Sequence, residues 1–458
     1  MTRTDSIGDT RSITIVGAGL AGCLLSIYLA RRGFAVELFE RDPDPRTLAD
    51  GNEGRSINLA LANRGIAALR GVGLQHRVGA IALPMAGRMV HLPGQEPTLL
   101  PYGQSSAEVI YSVHRSELNQ TLLDAAERTR RVRCHFRQRL EKLDLTGGVG
   151  HFVDESSGRE YQLPLGPTIG ADGVGSRVRQ AIDSVTGGTS RSDLLDHGYR
   201  EFQIPPEDDG RHALSPGALH IWPRGELMLI ALPNTDGSFT ATLFMAREGG
   251  TSFASFKEPA AMARFLEDTF PDVADRLEAP NANQPTVGVL GSLYCDPWHH
   301  EGNALVVGDA AHAIVPFHGQ GMNCAFEDVA ELDRCITDST HWSQAFRRFQ
   351  VRRQDNARAI AEMALENYHE MRSAVADPGY RLRRALEQAL ERRFPERFVP
   401  RYSLVMFRQL DYRRAQERGR INLSILHALT DGISSLDDVD WARAEVLVNR
   451  SLEPLSPA

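Results

Sequence analysis

The stretch that decides the fold is SITIVGAGLAGCLLSIYLARRGFAVELFER, residues 12–41. Ile13–Val16 is a mostly apolar run of strand length. Gly17-Ala18-Gly19-Leu20-Ala21-Gly22 then opens a helix that runs over Cys23–Arg31 and stops at Gly33, and Ala35–Phe39 gives a second strand ending at Glu40. Strand, glycine turn, helix and strand make a βαβ unit, so the sheet is at least partly parallel and covered by helices. The three glycines have separate duties. Gly17 permits the tight turn, Gly19 lets backbone approach a pyrophosphate, and Gly22 allows the helix to pack closely. Phosphate would face the helix N-terminus, where N–H groups are unpaired. Glu40, about 20 residues on, is placed to bond a ribose hydroxyl. A lone glycine pattern is weak, but this one follows a strand, opens a helix and has its acid, so it reads as a dinucleotide site.

Working outward, Arg115–Arg130 has helical periodicity through Leu118, Leu122, Leu123 and Ala126, and Pro167–Asp172 is a strand running into a turn. Between about 217 and 246 three strand-like runs follow: Ala218–Trp222, Leu227–Leu232 and Phe239–Met245, with the hairpin signal Asp236-Gly237 before the last. They predict a separate antiparallel sheet. Leu305–Gly308 is another buried strand, and from Phe326–Ile336 through Ala345–Val375 and Tyr380–Arg393 the pattern is helical. Segments around 183–215 and 247–285 carry no distinctive signal.

Composition narrows the function. A net charge of -8 argues against a nucleic-acid surface; Lys142 and Lys257 are the only lysines, which reads as codon bias rather than as chemistry. Five cysteines without CxxC spacing fit reduced thiols and a cytoplasmic location rather than a disulfide framework. The polar residues 1–11 do not read as a secretory signal, and no apolar run nears the roughly 18 residues of a membrane span. Trp298-His299-His300 and the pair His312/His318 lack metal-ligand spacing, so no metal is expected. Arg347, Arg348, Arg352 and Arg353 read as a solvated helix face.

Two further elements lie downstream: Gly170-Ala171-Asp172-Gly173 leading to Ser176-Arg177-Val178-Arg179, and Gly308-Asp309-Ala310-Ala311-His312 leading to Pro316-Phe317-His318-Gly319-Gln320-Gly321-Met322-Asn323. With the first fingerprint, they resemble the group A flavoprotein monooxygenases of the para-hydroxybenzoate hydroxylase type. That resemblance implies non-covalent FAD. Asp309 would end a strand and accept a ribityl hydroxyl, Gly319 and Gly321 would leave room for the flavin ring, and a helix starting near Met322 would point its positive end at the flavin N1–C2=O edge. The expected cofactor contacts are Gly17, Gly19, Leu20, Ala21, Gly22, Glu40, Arg41, Arg115, Asp172, Gly173, Gly308, Asp309, Gly319, Gly321, Met322 and Asn323.

Gly54–Leu61, Gly87-Arg88-Met89-Val90-His91, Pro101-Tyr102-Gly103, Leu219-His220-Ile221-Trp222-Pro223, Ala364-Leu365-Glu366-Asn367-Tyr368 and Arg401-Tyr402-Ser403 narrow the match, because together they resemble the kynurenine 3-monooxygenase family. The activity implied is hydroxylation of L-kynurenine at ring C3, with NADPH and O2 as co-substrates and oxygen delivered from a flavin C4a-hydroperoxide. By the same resemblance, Arg88 and Tyr102 would hold the substrate carboxylate, with Asn367 and Tyr402 completing the amino-acid end. Ile230, Leu232, Phe244, Phe317 and Met371 would flank the ring, with His318 nearby. Taken singly, Phe244, Leu232 and Met371 are ordinary core residues, Arg88 a surface charge and Tyr402 a half-buried phenol; the family pattern gives them their roles. No residue is expected to act as acid or base. The implied division is an FAD-binding domain at 1–83, 103–182 and 286–345, a substrate domain with an antiparallel sheet at 84–102 and 183–285, and a helical region at 346–458 closing the pocket. The expected assembly is a monomer or homodimer, with no nucleic acid or membrane partner. Two alternatives stay open on sequence: a flavin hydroxylase of another aromatic acid, and a non-catalytic binding protein of the FAD fold.

Overall fold

The computed structural model describes residues 5–47, 58–256, 258–278, 287–373 and 378–455. The motif residues Gly54–Ile57 fall outside them. Ser12–Val16 sits inside a six-stranded sheet, flanked by parallel Ala35–Phe39 and Thr168–Gly170; Val132–His135 and Ala304–Val306 extend it in parallel, and His299–His300 closes one edge antiparallel. The helix Leu20–Arg31 is buried along nearly its whole length between that sheet and its neighbours. Its run Leu24, Leu25, Ile27 and Leu29 is apolar all round for that reason.

The second sheet has seven strands in the order Gly288–Asp296, Thr189–Ile204, Phe239–Ala246, Leu227–Pro233, Ala218–Arg224, Gly87–Val90 and Thr98–Pro101. Every adjacent pair is antiparallel except Ala218–Arg224 with Gly87–Val90, which run parallel. That join brings residues 87–101 from the first part of the chain onto the edge of the hairpin sheet, beside strands more than a hundred residues downstream. The strand Thr189–Ile204, in a segment without a sequence signal, is exposed over its first half and shifts register between Leu194 and Gly198. Its polar, two-sided character hides the alternation that would mark it.

Helices Gly321–Thr337, Trp342–Ser373, Pro378–Arg393, Arg401–Met406, Tyr412–Thr430 and Trp441–Ser451 make up the C-terminal part. Two expectations need correction. Asp309 does not end a strand: the strand stops at Val306 and Asp309 opens the short helix Asp309–His312. Arg353 is not on a solvated face. It is 4% exposed and binds Asp328 (2.7 Å) and Glu327 (2.7 Å), partners 25 and 26 residues upstream that helix periodicity cannot reveal. Among the described residues no helix is long and apolar enough to cross a membrane.

Candidate active site

The glycine turn is built by close backbone approach. A Cβ on Gly17 would lie 2.4 Å from the Ala171 carbonyl oxygen, and Gly17 has φ +101°; a Cβ on Gly22 would lie 1.9 Å from the Gly17 carbonyl oxygen. At Gly19 nothing approaches within 4 Å, so the backbone there is open. The N-cap Gly19 carries no capping side chain, leaving the first-turn N–H groups to a ligand. Glu40 accepts from the Ala18 N–H (2.7 Å) and the Asp42 N–H (3.0 Å). Burial raises its pKa, and those two N–H bonds work against the rise.

These elements border a cavity of about 480 Å³ that runs from the glycine turn to the second sheet. Gly19, Leu20, Ala21, Arg115, Gly173, Asp309, Gly319, Gly321 and Met322 line its dinucleotide end. Gly308 (φ +57°) and Gly319 (φ +62°) take the backbone through left-handed conformations beside it. Asp309 is exposed to this space, and the Gly321–Thr337 helix begins at the wall with no side-chain cap. The open turn, two uncapped helix starts and a free carboxylate fit a dinucleotide with a polyol chain.

Several other expected contacts do supporting work instead. Gly17, Gly22 and Gly308 shape the turns. Asp172 turns away: its carboxylate accepts from the Ser176 hydroxyl (2.6 Å) and the Arg177 N–H (2.7 Å), fixing the start of the Arg177–Thr186 helix. Asn323 is fully buried and ties the Ala62 N–H (2.9 Å) to the Ala60 and Gly319 carbonyls. Arg41 is 70% exposed beside Asp42 and lies off the cavity.

At the other end, Ile230, Leu232, Phe244 and Phe317 lie together on the wall, with Phe244 and Phe317 ring centroids 5.2 Å apart. Leu219, Ile221 and Met228 join them; strand alternation within the quoted Leu219–Pro223 motif could have supplied the first two, and alternation with Ile230 and Leu232 the third. Arg88 closes this end. Its guanidinium lies 4.5 Å from the Tyr402 ring centroid and 5.6 Å from that of Tyr102, and the two phenol rings stack at 5.5 Å. Among the described residues no carboxylate pairs with it, and the buried Arg88 Nε, Tyr102 Oη and His318 Nδ1 find no hydrogen-bond partner there. His318 stacks on Tyr402 at 5.6 Å. Burial, with the positive charge of Arg401 nearby, pushes its pKa down to about 3, so the ring is neutral.

Asn367 does not line the cavity: its amide donates to the Phe317 carbonyl and so supports the loop carrying Phe317 and His318. Met371 lies near the end of the Trp342–Ser373 helix, and its side chain is outside what the structure describes. Asn58, from the Gly54–Leu61 motif, lines the wall, and so do Thr240 and Thr242, which no sequence motif marks. His312, Cys324 and Asp328 come together in the core. Asp328 is already held there by His312 (2.5 Å) and by Arg353, whose guanidinium supplies the positive charge a cation would bring.

Comparison with known proteins agrees with this geometry. The family model described as FAD binding domain matches residues 10–343. A kynurenine 3-monooxygenase of Stenotrophomonas maltophilia is 47% identical over 453 residues, covering 98% of this chain and 99% of that protein. One of Xanthomonas campestris pv. campestris is 46% identical over 452 residues, covering 98% of each. Among solved structures, a 2-methyl-3-hydroxypyridine-5-carboxylic acid oxygenase mutant aligns with TM-score 0.66 at 19% identity, over 84% of this chain and 98% of that one. A p-nitrophenol 4-monooxygenase from Pseudomonas putida aligns with TM-score 0.64 at 15% identity, over 92% and 97%. These two carry the likeness of fold alone. The open glycine turn, the uncapped helix starts around the cavity and near-full-length similarity at 46–47% identity converge, and the chain belongs to the FAD-binding monooxygenase family that includes the kynurenine 3-monooxygenases.

Proposed function

We propose that this protein hydroxylates L-kynurenine at ring C3, using FAD with NADPH and O2. The observation that carries the reading is Arg88: a guanidinium clasped by two phenols, without a carboxylate partner among the described residues, at the end of a largely apolar cavity. A buried cation left this way is costly unless the ligand brings the anion. An α-carboxylate suits it, because the planar fork can bond both oxygens.

With the carboxylate at Arg88, the aryl ring enters the slot of Ile230, Phe244 and Phe317, toward the Gly319–Met322 wall. FAD, when bound, takes electrons from NADPH and activates O2 for transfer to an aromatic carbon. The chain's own part is to orient and to exclude water. Gly19, Leu20, Ala21 and Arg115 would hold its pyrophosphate, Asp309 would accept a hydrogen bond from a ribityl hydroxyl, and the Gly321–Met322 N–H groups would serve the flavin's pyrimidine edge. The apolar slot keeps water from the reacting oxygen. The ring amine of kynurenine donates into C3, so no residue need remove a proton to activate it. Five free thiols suit the reducing cytoplasm, where we place the enzyme.

The experiment is aerobic incubation with L-kynurenine and NADPH, followed by mass spectrometry. The expected product is one oxygen heavier, with the hydroxyl at C3. NADPH oxidation that yields only hydrogen peroxide, with L-kynurenine unchanged, would contradict the reading.

A further inference from the structure

Strand Phe239–Ala246 turns Thr240, Thr242 and Phe244 to the cavity, as alternate residues of one face. The two hydroxyls are in different states. That of Thr240 donates to Asn58 Oδ1 (3.2 Å) and receives the Asn234 amide (3.2 Å). Thr242 is 5% exposed, yet its side chain is bonded to no described residue. Its strand neighbour across the sheet is Ile230, and Phe244 follows it on the same face, so it sits within the ring slot. Valine would fill the same volume, so the hydroxyl adds only hydrogen-bonding capacity, and it stands unused by the protein on the wall of the cavity. It is available to a ligand.

We propose that Thr242 is a specificity residue for ortho-amino aryl ketones, its Oγ1 accepting a hydrogen bond from the ring amine. The inference rests on the L-kynurenine reading above. In such a substrate one anilinic N–H bonds the neighbouring ketone internally, and the other points outward and needs an acceptor in an otherwise apolar slot. Accepting that N–H leaves the nitrogen lone pair in the ring and strengthens its donation to the adjacent carbon, C3. The same contact would reject a ligand of equal shape that lacks the amine.

The test uses the FAD-loaded protein and Thr242→Val and Thr242→Ser variants, with two ligands: L-kynurenine and its desamino analogue, 3-benzoyl-L-alanine. Dissociation constants come from flavin spectral perturbation. Thr242→Val should weaken L-kynurenine about three- to tenfold, the range of a neutral hydrogen bond, and leave the desamino analogue within about twofold. KM for L-kynurenine should rise with its dissociation constant while kcat changes less. Thr242→Ser, which keeps the hydroxyl, should retain the wild-type preference, and it serves alone if the valine variant holds no flavin. Equal weakening of both ligands by valine, or loss of the preference in the serine variant, overturns the proposal in favour of packing; no change in either ligand overturns it outright. Failure of the wild type to bind L-kynurenine at all would instead strike the reading on which it rests.

Discussion

The two ends of the cavity are built in opposite ways. The dinucleotide end is made of backbone: a turn whose glycines nearly touch, helix starts without side-chain caps, and left-handed glycines at 308 and 319. The substrate end is made of side chains from widely separated segments. Arg88 comes from the strand next to the sheet edge, Tyr102 from the loop after the edge strand Thr98–Pro101, Phe244 from the hairpin, His318 from the flavin-side loop and Tyr402 from a C-terminal helix. Backbone sites depend on what a residue lacks, so a single added methyl can destroy one. Side-chain sites depend on what each residue offers, and they should fail by degrees.

The largest effect should therefore come at the backbone end. Gly22→Ala places a Cβ against the Gly17 carbonyl oxygen, with no flexible group to yield. Purified protein should lose essentially all its flavin, read as the ratio of 450 nm to 280 nm absorbance; normal flavin content would show that the turn can open without cost. At the substrate end Tyr402→Ala should retain flavin but raise KM for L-kynurenine by roughly tenfold. It removes a cation–π partner of Arg88, and such contacts contribute about 0.5–2 kcal/mol. Tyr402→Phe keeps the ring and should cost only about two- to threefold in steady-state KM. If phenylalanine were as damaging as alanine, the hydroxyl and not the ring face would be what supports Arg88.

The remaining effect is a matter of pH. His318 is neutral in the fold with a pKa near 3, against about 6.5 in an unfolded chain. Below pH 6.5 the unfolded state takes up a proton that the folded state refuses, so stability is present above that pH and drains away as pH falls toward 3. His91, lowered to about 4, acts in the same direction. Urea midpoints between pH 7 and 5 should fall less steeply in His318→Gln, by up to about 1.4 kcal/mol per pH unit. Identical slopes would mean that His318 takes up protons in the fold as well.

The same contrast explains what the sequence could show. The strand–turn–helix at 12–41 was legible because its glycines answer to local geometry, and the structure matches it to within a few residues. Arg88 and Tyr102 were legible only through motifs shared with a family, since nothing local tells an Arg facing a cavity from one facing water. Asn367 matched the substrate motif, yet its amide is engaged behind the wall with the Phe317 carbonyl, a partner 50 residues away. Thr240 and Thr242 alternate with Phe244 on one strand face, but a threonine in a strand carries no local mark that separates a cavity wall from plain core. Arg353 reads as solvated because its carboxylate partners, Glu327 and Asp328, lie on the preceding helix, beyond the reach of local periodicity.

The account turns on the carboxylate meeting Arg88, and one binding experiment tests that most directly. Arg88→Ala and wild-type protein, both with FAD, are titrated with L-kynurenine and with its decarboxylated amine. A hydrogen bond to a charged group contributes about 1.5–3 kcal/mol, so the variant should bind L-kynurenine roughly ten- to a hundredfold more weakly. The decarboxylated amine should scarcely distinguish the two proteins, and flavin content should be unchanged. Normal affinity for L-kynurenine in the variant, equal losses for both ligands, or loss of flavin would each contradict the placement of the substrate.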